Sequence, residues 1–245
     1  MPRTSVKTRL YVSQDLRPMG QVVLERDQSH YLTNVMRCGS GDRVALFNGR
    51  DGAWAAEITE AAKRAVVLEC RDQVQEQTQP PDLWLCFAPI KKARTDFIAE
   101  KAAEMGCRRI VPVFTRHTNS ERVKTDRLRA HSIEAAEQCG LVSVPEIAEP
   151  IGLSALLDTW PIDRHLMFCD ETGGGAPVRE AFAGAPRGPW AVLTGPEGGF
   201  AEDEVTRLRA LPQAQAVSLG PRILRADTAA VAALALWQSA LGDWQ

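Results

Sequence analysis

The sequence predicts an α/β protein in which a small N-terminal β-barrel precedes a domain with a parallel sheet and helices on its faces. Three observations predict this fold. Short strand patterns separated by glycine turns fill residues 1–70, as in small barrels. A polar segment containing two prolines then interrupts the pattern. Beyond it, strand and helix patterns alternate, which is typical of parallel sheets. We therefore predict a barrel domain over 1–72, a linker over 73–82 and a second domain over 83–245.

The N-terminal elements follow from apolar alternation and from turn residues. Asp27 is a helix-capping residue type, and Gly39 follows the helix predicted over 28–37. The segment Asn48–Gly52 has the composition of a tight turn between two strands. The predicted strands are Thr8–Val12, Gln21–Glu25, Arg43–Phe47, Ala53–Thr59 and Ala65–Cys70.

The elements after the linker are longer and more apolar. Leu83–Ile90 is a continuous apolar run, as expected of a strand buried on both faces. The helix predicted over Thr95–Met105 ends at Gly106, a residue type that favours helix termination. The other predicted strands are Arg109–Phe114, His165–Asp170, Trp190–Thr194 and Ala214–Leu219, and the other predicted helices are Asp126–Cys139, Glu202–Leu211 and Arg225–Leu241.

The charge of −2 hides an asymmetry along the chain. Residues 1–129 carry 22 Lys and Arg against 16 Asp and Glu, whereas residues 130–245 carry 7 against 15. The basic part has the charge needed to contact a polyanion such as RNA. A solvated surface of mixed charge explains the same numbers, so charge alone leaves both interpretations open.

Other patterns exclude several classes of protein. No apolar run approaches the ~18 residues of a membrane span, and the N-terminal segment MPRTSVKTRLYV has no apolar core of a secretion signal. The six cysteines form no CxxC pair and the four histidines show no ligand spacing, so we assign no metal. We expect a cytoplasmic protein with buried thiols.

Two loops have the composition of a ligand site. Thr194–Phe200 reads TGPEGGF and Ser218–Arg225 reads SLGPRILR, and each lies between a predicted strand and a predicted helix. Ligands of open α/β sheets bind at the carboxyl ends of strands, and glycine permits close approach of the backbone to a ligand. Either loop alone could be an ordinary turn. Neither matches a dinucleotide or P-loop motif.

The longer segments LTGPEGGF and SLGPRILRADTAAVAALAL closely resemble the two signature motifs of the bacterial 16S ribosomal RNA uracil-N3 methyltransferase family, in the SPOUT class. The segments KARTDFIAEKAAEMG and EAAEQCGLVSVP, together with HYLTNVMR and GDRVALFNG near the N-terminus, resemble other parts of that family. The resemblance therefore extends over almost the whole chain. Leu141 stands where the family usually has Arg, and Ala226 and Asp227 stand where Thr and Glu are common.

The resemblance implies a PUA-like RNA-binding barrel, a SPOUT methyltransferase domain with a trefoil knot, and a homodimer formed around that knot. It implies S-adenosylmethionine as the cofactor and 16S ribosomal RNA, within the small ribosomal subunit, as the partner. The cofactor-binding positions that the resemblance implies are Leu193, Thr194, Gly195, Glu197, Gly198, Gly199, Leu219, Gly220, Ile223 and Leu224. For Glu197 the alternative interpretation is a carboxylate that stabilises the start of the next helix.

Methylation at N3 of uracil requires loss of the N3 proton, which leaves an anion shared by two carbonyl oxygens. We predict that Arg225 stabilises this anion and that Asp227 positions the base or removes the proton. A salt bridge between Arg225 and Asp227 is the structural alternative. Because N3 lies on the Watson–Crick edge, the target base must be unpaired or extruded. The predicted RNA-binding residues are Arg9, Arg37, Lys91, Lys92, Arg94 and Arg222, with Arg43, Arg50 and Lys101 as further surface candidates.

Three alternative functions are consistent with parts of this pattern. A related SPOUT enzyme would methylate a ribose 2′-hydroxyl, although the N-terminal motifs and SLGPRILR favour the base methyltransferases. A non-catalytic RNA-binding protein would not need the two glycine loops. An enzyme of phosphate-bearing metabolites would need basic residues beside GPEGG, where the sequence instead has Glu197, Glu202 and Asp203.

Overall fold

The structure, a computed structural model, describes residues 6–62, 65–120 and 122–244. Its contacts divide the chain into two compact units. The first comprises the N-terminal residues up to 79 together with 136–144, and the second comprises 80–135 and the residues from 145 onward. Residues 1–5 and 245 lie outside the described residues. They include the start of the segment MPRTSVKTRLYV and the outer ends of the two predicted domains.

The first unit is built on a five-stranded sheet that encloses an apolar core. Its strands pair in the order β1-β3-β4-β5-β2, and in the described part no ladder joins β1 to β2, so the sheet is not fully closed. Leu32, Val44 and Leu68 are fully buried in the core. The strands are β1 (Arg9–Tyr11), β2 (Gln21–Val23), β3 (Arg43–Phe47), β4 (Ala53–Ala61) and β5 (Val66–Gln75).

Two N-terminal elements differ from the sequence prediction. The helix predicted over 28–37 is a short α-helix, α1 (Arg26–His30), that continues as one π-helical turn over Tyr31–Val35. Arg37 then adopts a positive φ of 53°, which ends the helix. Strand β5 continues to Gln75, beyond the boundary that we predicted at residue 72, because its pairing with β4 extends to Ala53.

The segment 136–144 packs within the first unit, although the sequence assigns it to the second domain. Ala136 and Val142 form a small apolar cluster with Phe47 and Ala53. The backbone NH of Tyr11 donates to the carboxylate of Glu137 at 2.8 Å. Leu141, which departs from the family pattern, lies at the edge of this cluster. A long-range contact of this kind leaves no local periodicity in the sequence.

The second unit is built on a sheet whose strand pairs are all parallel. The strand order is β11-β13-β10-β12-β6-β7-β8, with β9 also pairing β7. The strands are β6 (Leu83–Phe87), β7 (Arg109–Phe114), β8 (Glu146–Ile147), β9 (Ile151–Gly152), β10 (His165–Cys169), β11 (Ala176–Pro177), β12 (Trp190–Thr194) and β13 (Ala214–Ser218). The helices are α2 (Lys92–Glu104), α3 (Thr125–Cys139), α4 (Leu153–Asp158), α5 (Val178–Ala181), α6 (Glu202–Ala210) and α7 (Ala226–Leu241).

Helices cover both faces of this sheet, as the continuous apolar strands predict. Val192 points to the face packed by α2, α5 and α7, and its neighbour Leu193 points to the face packed by α4 and α6. The predicted strands and long helices are confirmed. The elements β8, β9, β11, α4 and α5 were not predicted because they have two to six residues, too few to show a period.

All six cysteines carry free thiols, and all but Cys139 are buried. Burial raises the pKa of Cys86 and of Cys169 to about 12, so both thiols are protonated at neutral pH. Within the described ranges, no helix combines the length and apolar character that a membrane crossing requires.

Candidate cofactor and active site

A cavity of about 860 Å³ lies at the carboxyl ends of three adjacent strands, β13, β10 and β12. Its walls come from the segments that follow these strands and from the start of α7. It brings together ten of the residues predicted from sequence. These are Thr194, Gly195, Glu197, Gly199, Leu219, Gly220, Arg222, Ile223, Leu224 and Arg225.

The loop after β12, residues 195–200, has a tightly constrained backbone. Because the sequence predicts that it binds the cofactor, we name it the cofactor loop. The NH of Gly199 donates to the carbonyl of Pro196 at 3.0 Å, which closes a turn. Gly199 has a φ of +69°, and a Cβ there would collide with a carboxylate oxygen of Glu171. A Cβ on Gly195 would lie 3.0 Å from the buried ring of Phe200. Only glycine fits position 199 without strain.

The loop after β13 is more exposed than the cofactor loop. Ile223 is 90% exposed although it is apolar and lines the cavity. Arg222 and Arg225 are also exposed at the cavity wall. Arg225 is the extended residue that precedes α7, and its carbonyl accepts the NH of Ala229 at 2.7 Å. This backbone role fixes where the Arg225 side chain begins, at the rim of the cavity.

The third wall of the cavity follows β10 and was missed from sequence. Asp170, Glu171 and Thr172 line it. Burial raises the pKa of Asp170, but hydrogen bonds from Thr172 and from Arg209 outweigh it and hold the pKa below its usual value. The sequence carried only a weak signal, which is that these residues end or directly follow the strand predicted over His165–Asp170, and ligands bind at the carboxyl ends of parallel strands.

A second missed residue, His117, lies in the loop after β7. Its Nδ1 lies 3.1 Å from the carbonyl oxygen of Gly198 and 3.2 Å from that of Gly199. The preceding residue, Arg116, contacts α6, where its NH donates to Glu204 at 2.9 Å and its guanidinium pairs with Asp203 at 2.6 Å. His117 therefore contacts this loop from outside the cavity, whereas Arg116 contacts only α6.

Three of the predicted catalytic and cofactor-binding residues do not line the cavity. Leu193 is fully buried in the core on the α4 and α6 face, and Gly198 faces His117. Asp227 lies 3.7 Å from the guanidinium of Arg94, which also lies 3.9 Å from Glu197. The described ion pairs thus join Asp227 to Arg94 rather than to Arg225. Arg94, predicted to bind RNA, links one carboxylate from each loop region.

The other predicted basic residues fall into two groups. Lys91 and Lys92 are exposed at the start of α2, and Arg37 is exposed in the first unit. By contrast, the Arg9 guanidinium donates to the carbonyl of Leu141 at 2.8 Å and lies over the Phe47 ring. Burial lowers the pKa of Arg9. Of the further candidates, Arg43 pairs with Asp72, Arg50 with Asp15 and Lys101 with Glu104.

Comparison with known protein families defines the class of protein. The RNA methyltransferase domain model matches residues 77–238, which include every strand and helix that builds the cavity. The RNA methyltransferase PUA domain model matches residues 24–69, within the first unit.

Individual relatives narrow the class to one group of RNA methyltransferases. The chain is 29% identical to the ribosomal RNA small subunit methyltransferase E of Rickettsia conorii, over 93% of each chain. It is 30% identical to that of Synechocystis sp., over 93% of this chain and 76% of the relative. The crystal structure of the ribosomal RNA small subunit methyltransferase E of Neisseria gonorrhoeae bound to S-adenosyl methionine matches with a TM-score of 0.89 and 28% identity, over 97% and 99% of the chains. The chain belongs to the RNA methyltransferase family, and within it to the ribosomal RNA small subunit methyltransferases E.

Proposed function

We propose that this protein transfers a methyl group from S-adenosylmethionine to N3 of a uracil in 16S ribosomal RNA of the small ribosomal subunit. One observation carries the proposal. The segments after β10, β12 and β13 together form a single cavity, in a chain whose relatives are named for ribosomal RNA methylation.

The cavity fits the proposed cofactor in size and chemistry. Its volume of about 860 Å³ lies within the range of roughly 300–1,000 Å³ found for small-molecule sites. Leu219, Ile223 and Leu224 offer apolar surface for an adenine ring, and the glycine loops offer backbone NH and carbonyl groups. Glu171 and Glu197 add negative charge, which suits a ligand with a sulfonium and an ammonium group. When bound, S-adenosylmethionine supplies the electrophilic methyl group.

Arg225 is the residue best placed to act on the base. It is exposed at the cavity wall, and among the described ion pairs none occupies its guanidinium. Loss of the N3 proton spreads negative charge over two carbonyl oxygens of the uracil. A guanidinium can donate to both oxygens and stabilise that charge as it develops.

Of the two roles predicted for Asp227, positioning and removal of the N3 proton, we propose positioning. Its carboxylate lies beside Arg94, and Arg94 also lies beside Glu197. Asp227 therefore fixes the start of α7, and with it Arg225, relative to the cofactor loop.

RNA binding is proposed for the exposed basic residues that the structure leaves accessible. Arg222, Lys91 and Lys92 lie at the carboxyl-end edge of the sheet in the second unit, and Arg37 lies in the PUA-like unit. Phosphate contacts from these side chains would position the RNA without reading its sequence. Because Arg9 is held by Leu141 and Phe47, we leave it out of the proposed RNA surface.

We also propose the trefoil knot and the homodimer that the resemblance implies. The connection from β12 to β13 passes β10 by way of α6, and α7 then returns to pack on β12, β6 and α2. Connections that cross at one edge of a sheet are rare in unknotted folds. Phe97 on α2 and Leu236 on α7 remain 39% exposed, which supports a partner subunit at these helices. We place the enzyme in the cytoplasm, where its RNA substrate is.

The proposal is tested by mass spectrometry of small-subunit RNA from a strain lacking this gene. The RNA should lack N3-methyluridine and regain it when the wild-type gene is returned, but not when Arg225→Ala is returned. Unchanged N3-methyluridine in the deletion strain would contradict the substrate assignment.

A further inference from the structure

We propose that His117 is a positioning residue which, together with Glu171, holds the cofactor loop in its binding conformation before the cofactor arrives. The inference rests on the proposed function, because it concerns the loop that forms one wall of the S-adenosylmethionine site. Neither residue belongs to the two glycine loops. Each follows a different strand of the sheet, β7 for His117 and β10 for Glu171.

His117 binds the outer side of the cofactor loop through two carbonyl groups of the loop. Its Nδ1 lies within 3.2 Å of the carbonyl oxygens of both Gly198 and Gly199. Carbonyl oxygens only accept hydrogen bonds, so Nδ1 must carry the proton and donate to them. The side chain of Thr118 accepts the NH of Thr115 at 2.9 Å and closes the turn that presents His117.

Glu171 holds the inner side of the same loop by an NH group. Its Oε1 accepts the NH of Phe200 at 3.1 Å. The same oxygen occupies the position that a Cβ on Gly199 would take. The Phe200 ring in turn packs under Gly195, so the far end of the loop is fixed to its beginning.

Together the two side chains hold the peptide units on either side of Gly199, with opposite hydrogen-bond polarity. The carbonyls of residues 198 and 199 accept from His117, and the NH of Phe200 donates to Glu171. Between them lies Gly199, whose φ of +69° is one of several conformations open to glycine. Holding both sides selects this conformation and lowers the entropy that cofactor binding would otherwise have to remove.

The test compares two uncharged replacements of similar size in the full-length chain. His117→Asn keeps an NH donor, and His117→Leu has none. Calorimetric titration with S-adenosylmethionine should show binding weakened by about three- to tenfold in His117→Leu, the loss expected for one hydrogen bond. His117→Asn should stay within about twofold of the wild type by the same reasoning.

Hydrogen exchange on the cofactor-free protein gives a second readout. Amides of residues 197–201 should exchange faster in His117→Leu and in Glu171→Ala, but not in His117→Asn or Glu171→Gln, which keep the donor and the acceptor. The turnover number of His117→Leu at saturating cofactor should match the wild type. Arg116→Ala, a change in the same loop that removes an exposed ion pair with Asp203, should leave exchange and affinity unchanged.

Equal affinity and equal exchange for His117→Leu and the wild type would overturn the inference. So would equal losses in His117→Leu and His117→Asn, because the donor would then be irrelevant. Failure of the wild-type chain to bind S-adenosylmethionine would instead overturn the proposed function, and the exchange comparison would still decide the role of His117.

Discussion

The predicted site residues behave differently in the two units of the molecule. In the methyltransferase unit, ten of them converge on one cavity at the ends of three strands. In the PUA-like unit, Arg9, Arg43 and Arg50 contact other groups of the protein, and Arg37 is exposed. The difference has a physical origin. Parallel strands bring their carboxyl ends to the same edge of a sheet, whereas nothing requires surface charges to converge.

This difference shows which kinds of binding residue can be predicted from sequence. A loop that binds through its backbone is fixed by its glycines and by its place after a strand. An arginine has a long side chain with several donors, and a carbonyl or carboxylate within the protein competes with RNA for it.

Arg225→Ala should lower the turnover number by about 10²–10³-fold, the usual loss when one donor to a developing anion is removed. Cofactor affinity should change little, because we propose that this side chain acts on the base and not on the cofactor. Arg222→Ala is the matched control in the same loop, and it should raise the KM for RNA with the turnover number preserved. Single-turnover kinetics on 16S RNA separates the two variants. A full-rate Arg225→Ala enzyme would exclude Arg225 from catalysis.

Gly199→Ala should weaken S-adenosylmethionine binding by about tenfold or more, because a positive φ costs an L-residue roughly 1–2 kcal/mol and the new Cβ collides with Glu171. Gly140→Ala is the control, since Gly140 has a similar φ of +73° and a Cβ there would meet nothing within 4 Å. That change should reduce thermal stability alone. Calorimetry distinguishes them, and wild-type affinity in Gly199→Ala would show that the loop shape is unimportant.

Asp227→Asn should reduce the turnover number by up to about fivefold, as expected when one partly exposed ion pair with Arg94 is lost. Arg94→Ala should give a similar loss, and the double variant should be no worse than either, because both changes break the same contact. The pH–rate profile should keep its shape. A loss above ~10²-fold together with an altered acid limb would instead identify Asp227 as the group that removes the N3 proton.

The basic residues of the PUA-like unit should give the smallest effects. Arg37→Ala should weaken RNA binding a few-fold and reduce the slope of log affinity against log salt by about 1. Arg9→Ala should leave that slope unchanged and lower the free energy of unfolding by about 1–2 kcal/mol, since it breaks a hydrogen bond to Leu141 and a cation–π contact with Phe47. A salt-slope change in Arg9→Ala would return that residue to the RNA surface.

Much of the fold could be predicted because its strands are either alternating or continuously apolar. The run Leu83–Ile90 and the helix ending at Gly106 are examples. The π-helical turn at Tyr31–Val35 could not be predicted, because α- and π-helical turns use the same residue types. The packing of 136–144 within the first unit depends on Phe47 and Tyr11, residues far away in sequence.

The candidate site also has a part that could be predicted from sequence and a part that could not. The glycine loops were identified from local sequence, whereas Glu171 and His117 act through contacts with Phe200, Gly198 and Gly199 that only the folded chain creates. Asp227 was correctly placed at the start of α7, but its partner, Arg94, comes from a helix more than a hundred residues earlier. Pairing between side chains of distant elements was the part that one sequence could not supply.

We propose that the segments after β10, β12 and β13 form one S-adenosylmethionine site. Isothermal titration of the full-length protein with this ligand, with and without 16S RNA, tests it most directly. We expect saturable binding of one ligand per chain, and its weakening in Gly199→Ala. Absence of heat in both titrations, or undiminished binding in Gly199→Ala, would contradict the assignment of this cavity.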